Sequence, residues 1–218
     1  MNALTDHKHL KPRPLYEEVA ELLRQRIFAS KSGDLEPGAW IDELTIAEEY
    51  GISRTPLREA IKVLAAEGLI TMKMRRGAYV TEVNAKDLRD VVHLMALLEA
   101  DAAATVAKSA SAEQLKELEA LHEKLEKSTK DRVKFFTITE TFHVTLLEIA
   151  DNRWAGQMVA DLRKVMKLNR AQSLTRPGRI EDSLAEHSAM MVALKKRDVA
   201  AAHAVMRYHI ENGQEAAG

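Results

Sequence analysis

Two arginines four residues apart stand at the start of a predicted helix in the segment GISRTPLREAIKVLAAEGLI, residues 51–70 of the 218-residue chain. Residues four apart share one face of a helix, and an arginine side chain can bind O6 and N7 of a guanine through two hydrogen bonds. Ser53 and Thr55 add hydroxyl groups that can reach phosphate at the positive end of the helix dipole. We therefore expect Arg54 and Arg58 to read bases of double-stranded DNA.

Basic residues are concentrated near this segment, although the whole chain has a formal net charge of −1. Between Ser53 and Arg76, six basic residues stand against two acidic ones, which gives a local net charge of +4. Such a patch on a neutral protein suits the docking of an anionic polymer. Charge alone is equally typical of a solvated mixed face. The residue types in the helix are what favour a docking surface for DNA.

Three histidines stand on separate predicted helices in the second half of the chain. They are His143 in ETFHVTLLEIADN, His187 in EDSLAEHSAM and His209 in MRYHIENG. A single histidine on a helix is more often a surface or core residue than a ligand, and spacing alone does not show whether three converge. Because the chain has no cysteine, any metal would be bound by histidine, carboxylate or water.

The composition, with 46% hydrophobic and 30% charged residues, is that of an ordinary globular protein. No apolar run of membrane-spanning length and no signal-peptide pattern is present, so we expect a cytoplasmic protein with no membrane partner. The sequence also lacks the H-E-x-x-H, G-x-S-x-G, Walker and Rossmann patterns. We therefore expect no enzyme activity.

The elements that must position the arginines lie before residue 84, where four of the five prolines and five of the nine glycines fall. Helices are predicted over 15–29 and about 42–50, the latter capped by Asp42, with a third that Ser53 caps and that tolerates Pro56 in its first turn. The runs LITMK and AYVTEV then form a hairpin. A helix-turn-helix followed by a basic hairpin predicts a winged helix over 13–83, with 1–12 as a flexible N-terminus.

The rest of the chain is rich in Ala, Leu, Lys and Glu, which favours an all-α bundle over 84–214. Its six predicted helices run over 84–107, 111–128, 131–150, 153–174, 180–196 and 199–212, and TRPG breaks the chain before the fifth. Ser111 and Gln114 predict a capping box at the start of the second. The predicted fold class is therefore mainly α.

The first part resembles the winged helix of GntR-type bacterial transcription regulators. The resemblance covers about 12–83, where PG precedes helix two, SRTPLREA opens the recognition helix, L..EGL follows, and the wing ends in G..V. It implies DNA contacts by Ser53, Arg54, Thr55, Pro56, Arg58, Arg76 and Gly77, with Gly77 letting the wing tip enter the minor groove. Asp42 stands where some members carry an arginine, which predicts a different operator preference.

The second part resembles the helical effector domains of the FadR-like (FCD) subfamily over about 86–212. The segments TETFHVTLLEIADN, EHSAMMVALKKRD and AHAVMRYH match that pattern in order, and the family builds a metal pocket from one aspartate and three histidines. The resemblance implies that His143, His187 and His209 bind a divalent ion such as zinc, nickel or manganese. His93, His122 and His203 match nothing. The six-helix count points to the VanR-like branch.

Two departures from the FCD pattern bear on the ligand. Thr139 replaces the expected aspartate, so the site loses its carboxylate, and Glu140 is an alternative ligand. Met95 replaces an arginine four residues before Glu99, which predicts a more apolar or larger effector, such as an aromatic acid. The expected effector contacts are Met95, Thr139, His143, His187 and His209.

The resemblance as a whole implies a ligand-responsive repressor that binds a palindromic operator as a homodimer. A small organic or aromatic acid would change operator affinity from the helical domain. Two alternatives are a metal-sensing regulator, in which the ion itself is the signal, and a helical metal-dependent enzyme.

Overall fold

The chain divides between Glu82 and Val83 into two units, Met1–Glu82 and Val83–Gly218, in the computed structural model. The structure describes residues 14–29, 34–168 and 178–215. The predictions on the N-terminal segment 1–12, on 169–174 and on most of the TRPG breaker lie outside the described residues.

The first unit has the predicted winged helix-turn-helix architecture. Its helices are α1 (Leu15–Ala29), α2 (Glu43–Glu49) and α3 (Arg54–Ala66), followed by β1 (Ile70–Lys73) and β2 (Gly77–Val80). The two strands pair antiparallel with Ile70 opposite Val80 and Lys73 opposite Gly77, and Trp40 adds a single bridge to Tyr79. The mainly α fold class with a small hairpin wing is confirmed.

Helix α3 separates its apolar and basic residues by helical spacing. Leu57, Ile61 and Leu64 are buried in the core of the unit, whereas Arg54 and Arg58 are exposed. The Asp42 side chain accepts hydrogen bonds from the backbone N–H groups of two residues in α2, so the predicted cap is confirmed. This cap fixes where α2 begins and therefore where its first residues point.

The second unit contains six helices within the described residues. They are α4 (Ala85–Ser109), α5 (Ala112–Glu126), α6 (Arg132–Ile149), α7 (Arg153–Leu168), α8 (Arg179–Lys195) and α9 (Val199–Glu215). The predicted Ser111–Gln114 capping box is present at the start of α5. Helix α4 packs against α6, α7, α8 and α9, which brings α6, α8 and α9 around one core. None of the described helices is long and apolar enough to cross a membrane.

Candidate functional site

The two arginines at the start of α3 are joined to α2 through one carboxylate. Oε2 of Glu43 accepts a hydrogen bond from Arg58 Nε at 2.7 Å and another from Arg54 Nη2 at 3.2 Å. The side chains of Arg54 and Arg58 are 53% and 55% exposed, and that of Glu43 is 21% exposed. We call these three residues the arginine cluster. The residue types and spacing in the sequence did not predict the role of Glu43.

The other predicted DNA contacts of α3 lie beside this cluster. Ser53 occupies the N-cap position with extended backbone angles, but its side chain makes no capping hydrogen bond. The prediction that Ser53 caps α3 is therefore right for the position and wrong for the bond. Thr55 is exposed and Pro56 is half-buried in the first turn. The uncapped N–H groups of this turn can donate hydrogen bonds to an anion such as a phosphate.

The wing carries the remaining predicted contacts. Arg76 and Gly77 are exposed, and Gly77 has a backbone φ of +95°. A Cβ atom added there would lie 3.0 Å from Nε1 of Trp40, so any other residue would force the indole to shift. Glycine is thus required here both by its backbone conformation and by its close approach to Trp40.

The second unit brings together three buried histidines that lie far apart in the sequence. His143 comes from α6, His187 from α8 and His209 from α9, and one ring nitrogen of each lies within 4.8 Å of the others. Nε2 of His143 lies 3.0 Å from Nε2 of His209. We call these residues the histidine centre. His122 instead hydrogen bonds to Ser188, and His93 is exposed.

The opposite ring nitrogen of each histidine has a hydrogen-bond acceptor. Nδ1 of His143 donates to Glu99 at 2.6 Å, and Nδ1 of His209 donates to Glu186 at 2.6 Å. Nδ1 of His187 donates to the backbone carbonyl of Ser183 at 2.8 Å. In a neutral ring such a bond assigns the proton to Nδ1, so that Nε2 presents a lone pair. Metal-binding histidines are oriented in the same way.

The carboxylates of Glu99 and Glu186 are each paired with a buried or half-buried arginine. Arg163 donates to Glu99 at 2.7 Å, and Arg179 donates to Glu186 at 3.0 Å. Burial on its own would raise the pKa of Glu99, but Arg163 and His143 outweigh it and lower that pKa to about 2. Each carboxylate charge is therefore neutralised inside the protein.

The three ring nitrogens of the histidine centre form a set that could hold a metal ion. Burial lowers the pKa of His143 to about 4, against the opposing influence of Glu99, and lowers that of His187 well below its ordinary value. His143 and His187 are then neutral at pH 7, and Nε2 of His143 lies 3.0 Å from Nε2 of His209. Two nitrogens on one zinc ion, each at about 2.1 Å, are at most about 4.2 Å apart. Nε2 of His143 and Nε2 of His209 meet this limit, and the three histidines together could hold a divalent metal ion.

One further atom strengthens this fit. Nε2 of His187 is buried and has no hydrogen-bond partner among the described residues. A buried polar atom without a partner is costly unless a group outside the protein supplies one. The space between Phe142, Met190, Met206 and the three rings leaves no room for a water-sized molecule, but a bare ion is smaller.

None of the remaining predicted ligand residues is among those that line the space between the three rings. Oγ1 of Thr139, one helical turn before His143, is buried without a hydrogen-bond partner among the described residues. Oε1 of Glu140 accepts a hydrogen bond from Lys167 at 2.9 Å, and Glu140 is not grouped with the three histidines. Met95 is buried one turn before Glu99 and does not line the space between the rings.

The chain matches two family models. Residues 90–212 match the model described as the FCD domain, and residues 15–80 match the model described as bacterial regulatory proteins, gntR family. It is 28% identical, over 97% of its length, to the uncharacterized HTH-type transcriptional regulator YdhC of Bacillus subtilis (strain 168), of which it covers 95%. It is 27% identical, also over 97% of its length, to the HTH-type transcriptional repressor RspR of Escherichia coli (strain K12), of which it covers 93%.

A solved structure shares the fold. The alignment with E. coli McbR/YncC has a TM-score of 0.72 at 21% sequence identity and covers 93% of this chain and 96% of that chain. At this identity the likeness supports the fold alone. The domains and the relatives are those of transcriptional regulators rather than enzymes.

Proposed function

The chain belongs to the gntR family of bacterial regulatory proteins and carries an FCD domain, and on this premise we propose a repressor that binds a palindromic operator as a homodimer. In this proposal residues 13–83 bind DNA, and residues 84–214 bind the effector and form the dimer. Arg54 and Arg58 read bases, while Ser53, Thr55, Pro56, Arg76 and Gly77 approach the backbone and the minor groove. The VanR-like branch remains a prediction.

The observation that carries the effector side of the proposal is the pair of Nε2 atoms of His143 and His209, which lie 3.0 Å apart, with the unpartnered Nε2 of His187 beside them. His143, His187 and His209 would together hold a zinc, nickel or manganese ion. When bound, the ion supplies a Lewis-acidic centre to which an anionic group can attach. Glu99, Glu186 and the carbonyl of Ser183 hold the rings in place for it.

Charge balance favours an anionic effector. Glu99 is neutralised by Arg163 and Glu186 by Arg179, so the surrounding groups leave the charge of a divalent ion uncompensated. Thr139, which replaces the expected aspartate, brings a hydroxyl group instead of a charge. We infer that a small carboxylic acid completes the centre, with the unpartnered Thr139 hydroxyl available to donate to it. The aromatic or larger acid predicted from Met95 stays a prediction, because Met95 does not line the space between the rings.

The closed geometry of the centre links effector binding to a change of conformation. Because no water-sized molecule fits between the rings, an organic acid can reach the ion only if side chains or helices move. An effector shifts an equilibrium only through its different affinities for two states. We propose that the state with the acid bound holds the two DNA-binding units of the dimer in an arrangement that no longer matches the operator.

The same closed geometry favours a second candidate, in which the ion itself is the signal. The ring nitrogens that would bind an ion already lie within 4.8 Å of one another, whereas an organic acid requires a rearrangement. In that case the metal-loaded and metal-free proteins would differ in operator affinity with no acid present.

The test measures the operator affinity of the full chain at fixed salt, using a duplex selected by the protein from a random library. The metal-free protein, the zinc-loaded protein, and the zinc-loaded protein with citrate or benzoate are compared. Typical coupling of 1–3 kcal/mol predicts a change of about 5- to 150-fold. A change only with an acid supports the first candidate, and a change with zinc alone supports the second. Equal affinity in all states, with other metals and acids also inactive, would reject both.

A further inference from the structure

Glu43 is the one carboxylate that bonds to both arginines of the recognition helix within the described part of the chain. Asp42 caps α2 and so places Glu43 at the first position of that helix, facing the start of α3. The pKa of the Glu43 carboxyl is lowered: burial opposes ionisation, but Arg58 and Arg54 outweigh it. A charged carboxylate is therefore fixed between two cations at the surface proposed to contact DNA.

The stability of the protein does not explain this arrangement. Surface ion pairs typically contribute about 0–1 kcal/mol, because water and salt screen them and the side chains lose freedom. The arginine side chains remain more than half exposed. A negative charge at this surface also opposes binding to the phosphate backbone, which dominates affinity for any DNA. The carboxylate thus weakens non-specific binding with little gain in stability.

The atoms used indicate what is gained instead. Arg58 bonds to Glu43 through Nε, so its two terminal Nη groups remain available for a pair of hydrogen bonds to guanine. Arg54 is bonded through Nη2 to the same oxygen, so the two side chains are held side by side. An arginine held in position loses less freedom when it binds a base and reaches neighbouring phosphates less readily.

We propose that Glu43 is a positioning residue for operator recognition, which aligns Arg54 and Arg58 with base edges and suppresses their binding to phosphate. This inference rests on the proposed DNA-binding function. It predicts that Glu43 increases the ratio of specific to non-specific affinity without increasing the affinity for DNA of any sequence.

The test selects duplexes from a library with a random 20-base-pair core, using the full-length wild type, Glu43→Gln, Glu43→Asp and Glu59→Gln. Glu59→Gln is the matched control: it removes one negative charge from α3, the helix that carries both arginines, where Glu59 bonds to Lys62 at 2.8 Å. Glu43→Asp keeps the charge but shortens the side chain that spans two arginines. The readout is the affinity for the selected duplex divided by that for an unselected one, at fixed salt.

We expect both Glu43 variants to lower this ratio about tenfold, within the range of one bidentate base contact. Glu43→Gln should also bind the unselected duplex more tightly, whereas Glu59→Gln should strengthen both affinities and leave the ratio unchanged. Equal ratios for wild type and both Glu43 variants would overturn the inference alone. Failure of the wild type to select any sequence would instead overturn the proposed function. Trp40 fluorescence checks that the first unit of each variant is folded. If Glu43→Gln does not fold, the comparison of Glu43→Asp with the wild type is the test.

Discussion

Glu43 and Glu99 each accept hydrogen bonds from two nitrogen-bearing side chains, but Glu43 lies at the surface and Glu99 is fully buried. At the surface, water competes for each bond, so each contact can break and re-form while Glu43 keeps the arginines aligned. In the interior no such exchange is available, and a charge left without its partner is costly. A carboxylate shared by two nitrogen-bearing side chains therefore forms exchangeable contacts at the surface and fixed contacts in the interior.

The difference also separates the two proposed tasks. Reading DNA requires side chains that are aligned yet free to form new bonds, and the arginine cluster has half-exposed arginines. Holding an ion requires ligands whose rings do not turn, and the histidine centre has each Nδ1 bonded to a carboxylate or a backbone carbonyl. Variants at the two sites test this contrast, and we expect the largest effect at Glu99.

Glu99→Ala should lower the free energy of unfolding of the second unit by about 3–5 kcal/mol, because it leaves Arg163 without its buried partner. Urea unfolding followed by Trp154 fluorescence, in a Trp40→Phe background, measures this unit. The matched control is Glu119→Ala, which removes the exposed partner of Lys195. The double variant Glu99→Ala with Arg163→Met should recover part of the loss. Similar losses for Glu99→Ala and Glu119→Ala would contradict the proposed contrast between buried and exposed pairs.

Arg58→Ala should weaken binding to the selected operator by about 1–3 kcal/mol, if Arg58 reads a base. Its binding to an unselected duplex should change much less. The comparison is Arg76→Ala in the wing, which we expect to weaken both duplexes alike because it contacts the backbone. Fluorescence anisotropy at one fixed salt concentration measures both. An unchanged operator affinity for Arg58→Ala would reject its role in reading bases.

Glu43→Gln should lower the free energy of unfolding of the first unit by no more than about 1 kcal/mol, as for other exposed ion pairs. Urea unfolding followed by Trp40 fluorescence, in a Trp154→Phe background, measures this unit. A loss as large as that of Glu99→Ala would mean that the arginine cluster is part of the structural frame, and the contrast between the two regions would fail.

Much of the fold could be predicted from local patterns. The spacing of Leu57, Ile61 and Leu64 predicts the buried face of α3, and the residue type of Asp42 predicts the cap of α2; both depend on neighbours within a few residues. The Ser53 cap was only half right, because a residue type indicates a position more reliably than a hydrogen bond.

The contacts that create the two sites could not be predicted in this way. His143 and His209 are 66 residues apart, and Glu99 and Arg163 are 64 residues apart. Whether such residues meet depends on how helices pack, which the sequence pattern of each helix does not specify. The resemblance to FCD domains predicts the histidines but not Glu186 or the arginines that neutralise the carboxylates. Glu43 was missed for the same reason, since its partners lie on the next helix.

The most direct test of the account is the metal content of the untagged protein, purified without chelator and measured by mass spectrometry of the elements. We predict about one zinc, nickel or manganese ion per protomer in the wild type and almost none in His187→Ala with its fold retained. A wild type that stays empty after incubation with each of the three metals would contradict the account. The facing nitrogens would then not form a metal site, and the proposed control of DNA binding would lose its basis.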